Sequence, residues 1–259
     1  MRAPLTLPRQ LLRGVAFNVS TEAEVVAAIV QASSDGHGGW VVTPNVDIMR
    51  AIDRDRSLLE LVAGADVVVA DGMPLVWASR LAGTPLPERV TGASLIWSLT
   101  EAAGAAGRSV YLLGGAAGVP QRAARALSEI GGIIAGAYSP PMGFDRQPDG
   151  YEEVRRRLIE AGPEIVFCGF GFPKQEHLIA SLRDSLPGTW FIGCGAAVAF
   201  AAGDVPRAPE WMQRHGVEWC YRLVAEPRRL ARRYLVDDLP YAVRLLTGVL
   251  LERVRERKH

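Results

Sequence analysis

The chain has 259 residues, 49% of them apolar, and a formal net charge of +1. That length suits one large α/β domain, or one domain with a small appendage, and the apolar share fills a sizeable core. The near-neutral balance gives no global attraction to nucleic acid or to an acidic membrane, and no nucleic-acid partner is expected.

The opening MRAPLTLPRQLLRG has two prolines and no apolar run long enough for a signal peptide. From there, helical patterns alternate with short apolar runs. The helical patterns cover Thr21–Ser33, Pro74–Ala82, Ser94–Ala106, Val119–Ile130, Tyr151–Ala161 and Lys174–Leu186. The apolar runs are Trp40–Thr43, Asp66–Ala70, Ser109–Gly114, Ile133–Tyr138, Glu164–Gly169 and Thr189–Gly193, rich in Val and Ile. Most lack polar alternation, as strands covered on both faces do. The pattern predicts an α/β fold, a Rossmann-like parallel sheet flanked by helices.

The longest uncharged run, Ser185 to Gly203, is long enough to raise the question of a membrane span. Pro187, Gly188, Gly193, Gly195 and Gly203 interrupt it, so it reads as a strand, a glycine turn and a helix start. The expectation is a cytoplasmic protein, soluble or peripheral to a membrane. Cys168, Cys194 and Cys220 all sit among apolar residues without a CxxC pair. They read as buried thiols of a reducing compartment.

From Asp204 the texture changes. Between Arg207 and Tyr234 there are seven arginines and three glutamates, interleaved with Trp211, Trp219 and Tyr221. After Pro240, Val243, Leu246, Leu250 and Val254 form a stripe, followed by a charged end from Glu252 to His259. The division expected is a catalytic α/β domain over 1–203 and an arginine-rich helical C-terminal appendage over 204–259.

Ligands of parallel sheets bind beyond the C-terminal strand ends, which makes the residues there the candidates. Asp71 follows Val67-Val68-Val69-Ala70 and precedes Gly72. It suits a general base, whose pKa burial would raise, or an N-cap of the next helix. Thr43 and Asn45 suit hydrogen bonds to sugar hydroxyls, or capping. Gly114-Gly115-Ala116-Ala117-Gly118 joins a strand to a helix and could bring backbone N–H groups to a phosphate, without matching a P-loop or GxGxxG. Gly169-Phe170-Gly171 leads to Pro173, Lys174, Gln175 and Glu176, a proline suited to a first turn and three polar residues crowding it. Lysine gains nothing from the dipole there, which favours a ligand over a solvated turn.

Other motifs carry less. Asp53-Arg54-Asp55 spells DxD, but after helical residues rather than a strand, and His37, His177, His215 and His259 have no metal-ligand spacing. No metal is expected. GxSxG is absent, against an α/β-hydrolase. Gly193-Cys194-Gly195-Ala196-Ala197-Val198 is a degenerate dinucleotide turn.

Read together, seven strings resemble the WecG/TagA/CpsF glycosyltransferases, glycosyltransferase family 26, from about Val15 to Tyr234. They are TPNVD at 43–47, ADVVVADGMPLVWASRLAG at 65–83, ERVTGASL at 88–95, SVYLLGGAAGV at 109–119, GFGFPKQE at 169–176, AGDVPRAPEW at 202–211 and VEWCYRLVAEPRRLARRYL at 217–235. The resemblance implies an inverting, metal-independent transferase without a cofactor. It would move an N-acetylmannosamine-type sugar from a UDP-sugar donor to an undecaprenyl-diphosphate-linked acceptor sugar, in cell-envelope polysaccharide synthesis. The place implied is the inner face of the cytoplasmic membrane, peripheral on its anionic surface; a homo-oligomer stays open. By the family pattern Asp71 is the base. Thr43, Asn45 and Arg89 lie on the acceptor side. Gly114, Gly115, Gly169, Gly171, Lys174, Gln175 and Glu176 lie on the donor side. Arg207, Arg214, Arg222 and Arg228 belong to the arginine-rich end that closes the pocket and neutralises diphosphate. One departure stands out: many members carry Phe-Asp where this chain has Val198-Ala199, which alters the expected contact to the nucleotide. Rival classes are a NAD-linked oxidoreductase and a non-catalytic module binding anionic lipid.

Overall fold

The computed structural model describes residues 7–205, 208–209, 211–212 and 217–256. Among them six parallel strands form one sheet: β3 (Gly39–Val42), β4 (Val67–Val68), β5 (Ser109–Gly114), β6 (Ile133–Tyr138), β7 (Ile165–Gly169) and β8 (Trp190–Gly193), in the order β4-β3-β8-β7-β5-β6. The predicted strands are all present, with ends moved by a residue or two and β4 shortened. β6 departs from the expectation of full burial: it is an edge strand and half-exposed along its length.

The helices divide between the two faces as their apolar stripes dictate. On one face α2 (Val46–Arg54), α3 (Ser57–Ala63), α4 (Met73–Ala82), α7 (Gly150–Ala161) and α8 (Lys174–Leu182) bury Ile48, Met49, Val62, Leu75, Leu158 and Ile179 against alternate sheet residues such as Trp40, Val42 and Phe191. On the other, α1 (Glu22–Ser34), α5 (Gly92–Ala105), α6 (Val119–Glu129) and α9 (Ala197–Ala201) bury Ile29, Leu95, Leu99, Leu127 and Val198 against Val41, Val67, Leu112 and Ile192. β8 leads into α9 on one face, whereas its neighbours β3 and β7 lead into α2 and α8 on the other. A sheet opens a crevice where successive connections leave to opposite sides, here on both flanks of Gly193.

Sequence patterning missed a hairpin. β1 (Arg9–Leu12) and β2 (Val15–Asn18) pair antiparallel around Arg13 and Gly14, both at positive φ (53° and 85°). A two-residue turn with both φ positive matches the twist of a hairpin; arginine there hides the usual Asn-Gly signal. The hairpin closes the β4 edge through buried Asn18, whose Oδ1 accepts from Val68 N–H at 2.8 Å.

The C-terminal residues dock onto this body. Helices Glu218–Ala225 and Pro227–Ala231 lead through a π-helical segment, Arg232–Asp238, into the terminal helix Leu239–Glu256. That helix packs on α4 and adds Tyr241, Leu245 and Val249 to the core. The stripe expected from the sequence is therefore not the packed one: Val243, Leu250 and Val254 face outward, and only Leu246 is half-buried against the core. The charged end from Glu252 is in part engaged with the body. Arg253 donates to the carbonyls of Arg80 (3.3 Å) and Leu81 (2.8 Å), a cation at the C-terminal end of α4 where the dipole favours it. Arg257 and Lys258 lie outside the described residues.

Candidate active site

A chain of hydrogen bonds ties the strand ends into one rim. Asp71 N–H donates to Pro44 C=O at 2.8 Å, joining β4 to β3. Thr43, buried, donates its hydroxyl to Gly193 C=O at 3.3 Å, joining β3 to β8. Gln175 Oε1 accepts from Gly195 N–H (3.1 Å) and Gly171 N–H (3.0 Å), joining β8 to β7. Gly115 N–H donates to Gly169 C=O at 3.2 Å, joining β7 to β5. The four sequence stretches singled out at strand ends are thus one continuous lip.

Asp71 is half-buried, and Gly72, not Asp71, is the N-cap of α4. Asn45 does cap: its Oδ1 accepts from Ile48 N–H at 3.1 Å at the start of α2. Arg89 stands in the turn that Val90 N–H ties to Ala70 C=O (3.0 Å), and its guanidinium meets buried Glu218 at 3.3 Å. That contact brings the arginine-rich end against the rim. A second clasp holds it to the first turn of α2: Arg50 pairs with Asp47, Asp237 and Asp238, and Arg233 with Asp47 at 2.9 Å. Arg222 is half-buried, with its guanidinium 5.1 Å over the Phe200 ring, and Arg228 is exposed. Arg207 and Arg214 lie outside the described residues. A signal for Glu218 and Asp47 was present in the VEWCYR and TPNVD strings, but nothing in spacing distinguishes a clasp from a solvated face.

On the donor side the side chains divide. Lys174 turns to the loop after β6, 2.7 Å from Asp145 and 4.5 Å above the Phe144 ring. Gln175 and Glu176 are buried; Gln175 Nε2 donates to Glu176 Oε1 at 2.9 Å. Burial pushes the Glu176 carboxyl up to about 7. Its neutral form is favoured by the folded chain, so it lowers stability as pH rises from its ordinary value of 4.5 to about 7. Glu176→Gln, which cannot titrate, is expected to flatten that part of the stability curve, by an amount on the order of 3 kcal/mol between pH 4.5 and 7. Equal pH dependence of the denaturation midpoint in both proteins would refute this.

Cys168 and Cys194 are buried beside this carboxyl, and burial holds both thiols far above the usual range, Cys194 at about 12. Cys220, expected buried, is half-buried. Asp53 accepts from the Tyr241 hydroxyl (2.9 Å) and Asp55 from Ser57, both at the end of α2 remote from the rim. Val198, where the departure was noted, is buried and packs beside Gly169; Ala199 is half-buried.

This ordered set of rim strings carries over to comparison with known proteins. The model of the glycosyl transferase WecG/TagA/CpsF family matches residues 9–258. The chain belongs to that family. Membership makes it a glycosyltransferase and does not favour the oxidoreductase and lipid-module readings. It is 30% identical over 215 residues to a Bacillus subtilis protein named N-acetylglucosaminyldiphosphoundecaprenol N-acetyl-beta-D-mannosaminyltransferase, covering 81% of this chain and 79% of the relative. Relatives of the same name come from Bacillus spizizenii, at 30% over 211 residues (80% and 79%), and Staphylococcus aureus NCTC 8325, at 30% over 232 residues (89% and 90%).

Proposed function

We propose that this WecG/TagA/CpsF-family chain transfers an N-acetylmannosamine-type sugar from a UDP-sugar to N-acetylglucosamine on undecaprenyl diphosphate, with inversion. The observation that carries the reading is the rim itself: a half-buried carboxylate, Asp71, is tied within one hydrogen-bonded lip to the glycine ends of β8, β7 and β5. Asp71 takes the proton of the acceptor hydroxyl as that oxygen attacks the anomeric carbon from the face opposite the leaving diphosphate. Thr43, Asn45 and Arg89 line the acceptor side. The growing negative charge on the diphosphate meets the N-terminal ends of α6 and α8 and the Gly114–Gly115 and Gly169–Gly171 turns. Arg207, Arg214, Arg222 and Arg228 supply further charge from the end that closes over the crevice, the role proposed for an appendage over 204–259. Lys174 reaches the phosphates only by exchanging Asp145 for them. The test is a panel of UDP-sugars with a soluble lipid-diphosphate-GlcNAc analogue, with EDTA present, read by mass. Transfer from the N-acetylmannosamine donor in EDTA is expected, since Asp53 and Asp55 accept hydrogen bonds from Tyr241 and Ser57 at the end of α2 remote from the rim. No transfer from any donor would overturn the reading.

The acceptor's lipid requires a membrane surface, and the terminal helix offers one. No helix among the described residues is long and apolar enough to cross a bilayer. Instead Val236, Leu239, Val243, Leu250 and Val254 are all exposed, at helical spacing along one outward line. Exposed Arg232 precedes it, a combination that suits an anionic interface at the cytoplasmic side. Because the opposite side of this helix is core, deletion would unfold the body, and substitution is the sharper probe. Val243→Glu with Leu250→Glu is expected to weaken co-sedimentation with phosphatidylglycerol vesicles about tenfold or more and to leave soluble-acceptor turnover near normal. Unchanged co-sedimentation would assign the stripe elsewhere.

A further inference from the structure

Glu176 has no solvent exposure and no cationic partner among the described residues, yet a leucine of similar size would fill that space at lower cost. Its surroundings are Gln175, the Cys168 and Cys194 thiols, and the backbone of Gly193. A Cβ on Gly193 would stand 2.9 Å from both Gln175 Nε2 and Glu176 Oε1, so the pair is fitted directly beneath the strand at the centre of the crevice. The carboxamide of Gln175 has one oxygen and one nitrogen to place. Its oxygen accepts from two backbone N–H groups, of Gly171 and Gly195, and its nitrogen donates a hydrogen bond to Glu176 Oε1. Turned over, the amide would set its NH₂ against those two N–H groups and its oxygen against the Glu176 oxygen. Glu176 Oε1 is the acceptor that selects the productive orientation. Glu176 Oε2 is buried without a hydrogen-bond partner among the described residues, an orphan that packing alone would not retain.

We propose that Glu176 is a positioning residue for glycosyl transfer. It fixes the orientation of the Gln175 carboxamide, and through it the Gly171 and Gly195 turns that flank the donor crevice. The sequence places Glu176 with the groups that touch the nucleotide sugar; its burial assigns it instead to the layer behind them. The catalytic half of the inference rests on the transfer reaction proposed above, whereas the effect on the two turns does not.

Amide hydrogen exchange of Gly171 and Gly195, followed by NMR, reads the turns without substrate. Glu176→Ala is expected to speed exchange at both glycines, and to lower kcat/KM for the donor by about 30-fold or more while acceptor KM moves little, since small misplacement at a reacting centre is costly. Glu176→Gln keeps the acceptor oxygen and is expected to stay within about threefold of the parent in both measurements. In a Gln175→Ala background, Glu176→Ala is expected to add less than about threefold, because the two act as one unit. If Glu176→Ala does not fold, Glu176→Met fills the space without an acceptor and is expected to show the same fast exchange. Parent-like exchange in the folded Ala or Met variant would overturn the proposal, as would a fully additive loss in the double variant. Absence of transfer by the unaltered enzyme would overturn the reaction assigned to it, and the exchange data would still decide the role of Glu176.

Discussion

Asp71→Asn is expected to reduce turnover by about two to four orders of magnitude, the range for loss of a general base. The substitution keeps the shape of the side chain and its half-buried place at the end of β4, and the backbone bond from residue 71 to Pro44 C=O is untouched. What disappears is the ability to accept the acceptor's proton. Donor affinity, read by the thermal shift that UDP produces, is expected to remain near that of the parent, because in the proposed reaction the base acts on the acceptor hydroxyl and not on the diphosphate. The structure gives the N-cap of α4 to Gly72, and the substitution tests independently that Asp71 has no capping role. Asparagine caps as well as aspartate, so an N-cap role would leave turnover intact. Near-normal turnover of the folded variant would remove Asp71 from the chemistry.

Gly114→Ala is expected to have the largest effect on stability among single-methyl additions at the rim. Residue 114 holds φ at +106°, and a Cβ there would lie 2.7 Å from Gly169 C=O and 3.1 Å from the Phe170 ring. Gly169 cannot retreat freely, because its carbonyl also accepts from Gly115 N–H. Backbone strain and overpacking each cost about 1–3 kcal/mol, so a loss of about 2–5 kcal/mol is expected from the urea midpoint. Donor KM should rise with it, since β5 and β7 must part at the point where the diphosphate is proposed to sit. As a control, Gly107→Ala also adds a methyl at positive φ (+69°) but meets no atom within 4 Å, and should show the strain without the change in KM. Equal effects of the two substitutions on donor KM would separate the glycine turn from donor binding.

The sheet was legible because its strands announce themselves: Val67-Val68-Val69 and Ile165-Val166-Phe167 have no polar alternation and end in glycine or a polar turn. The rim was legible for the same reason, since its residues stand where apolar runs stop. The hairpin was not, because Arg13 occupies a turn position that sequence rules reserve for asparagine or aspartate. The orientation of the terminal helix was not legible either. Tyr241, Leu245 and Val249 make one apolar line and Val243, Leu250 and Val254 another, and periodicity cannot say which of two apolar lines meets the body. Glu176 was found by motif, yet its depth depends on Gly193 of a strand that follows later in the chain, and local pattern carries no such information.

The docking of the terminal helix bears on the order in which the molecule is made. Arg13 pairs with Glu252 across a separation of 239 residues, and Asp53 meets Tyr241 across 188. Closing loops of that length costs entropy that only an already folded interior can offset. These contacts are expected to form late, after the sheet has assembled, so that substitutions that weaken them act on the rate of unfolding more than on the rate of folding. During synthesis the side of α4 that meets the terminal helix stays bare until residues 241–249 have left the ribosome. The clasp of Arg50 with Asp237 and Asp238 has to wait as well. The segment proposed to meet the lipid is thus the one expected to join the fold late.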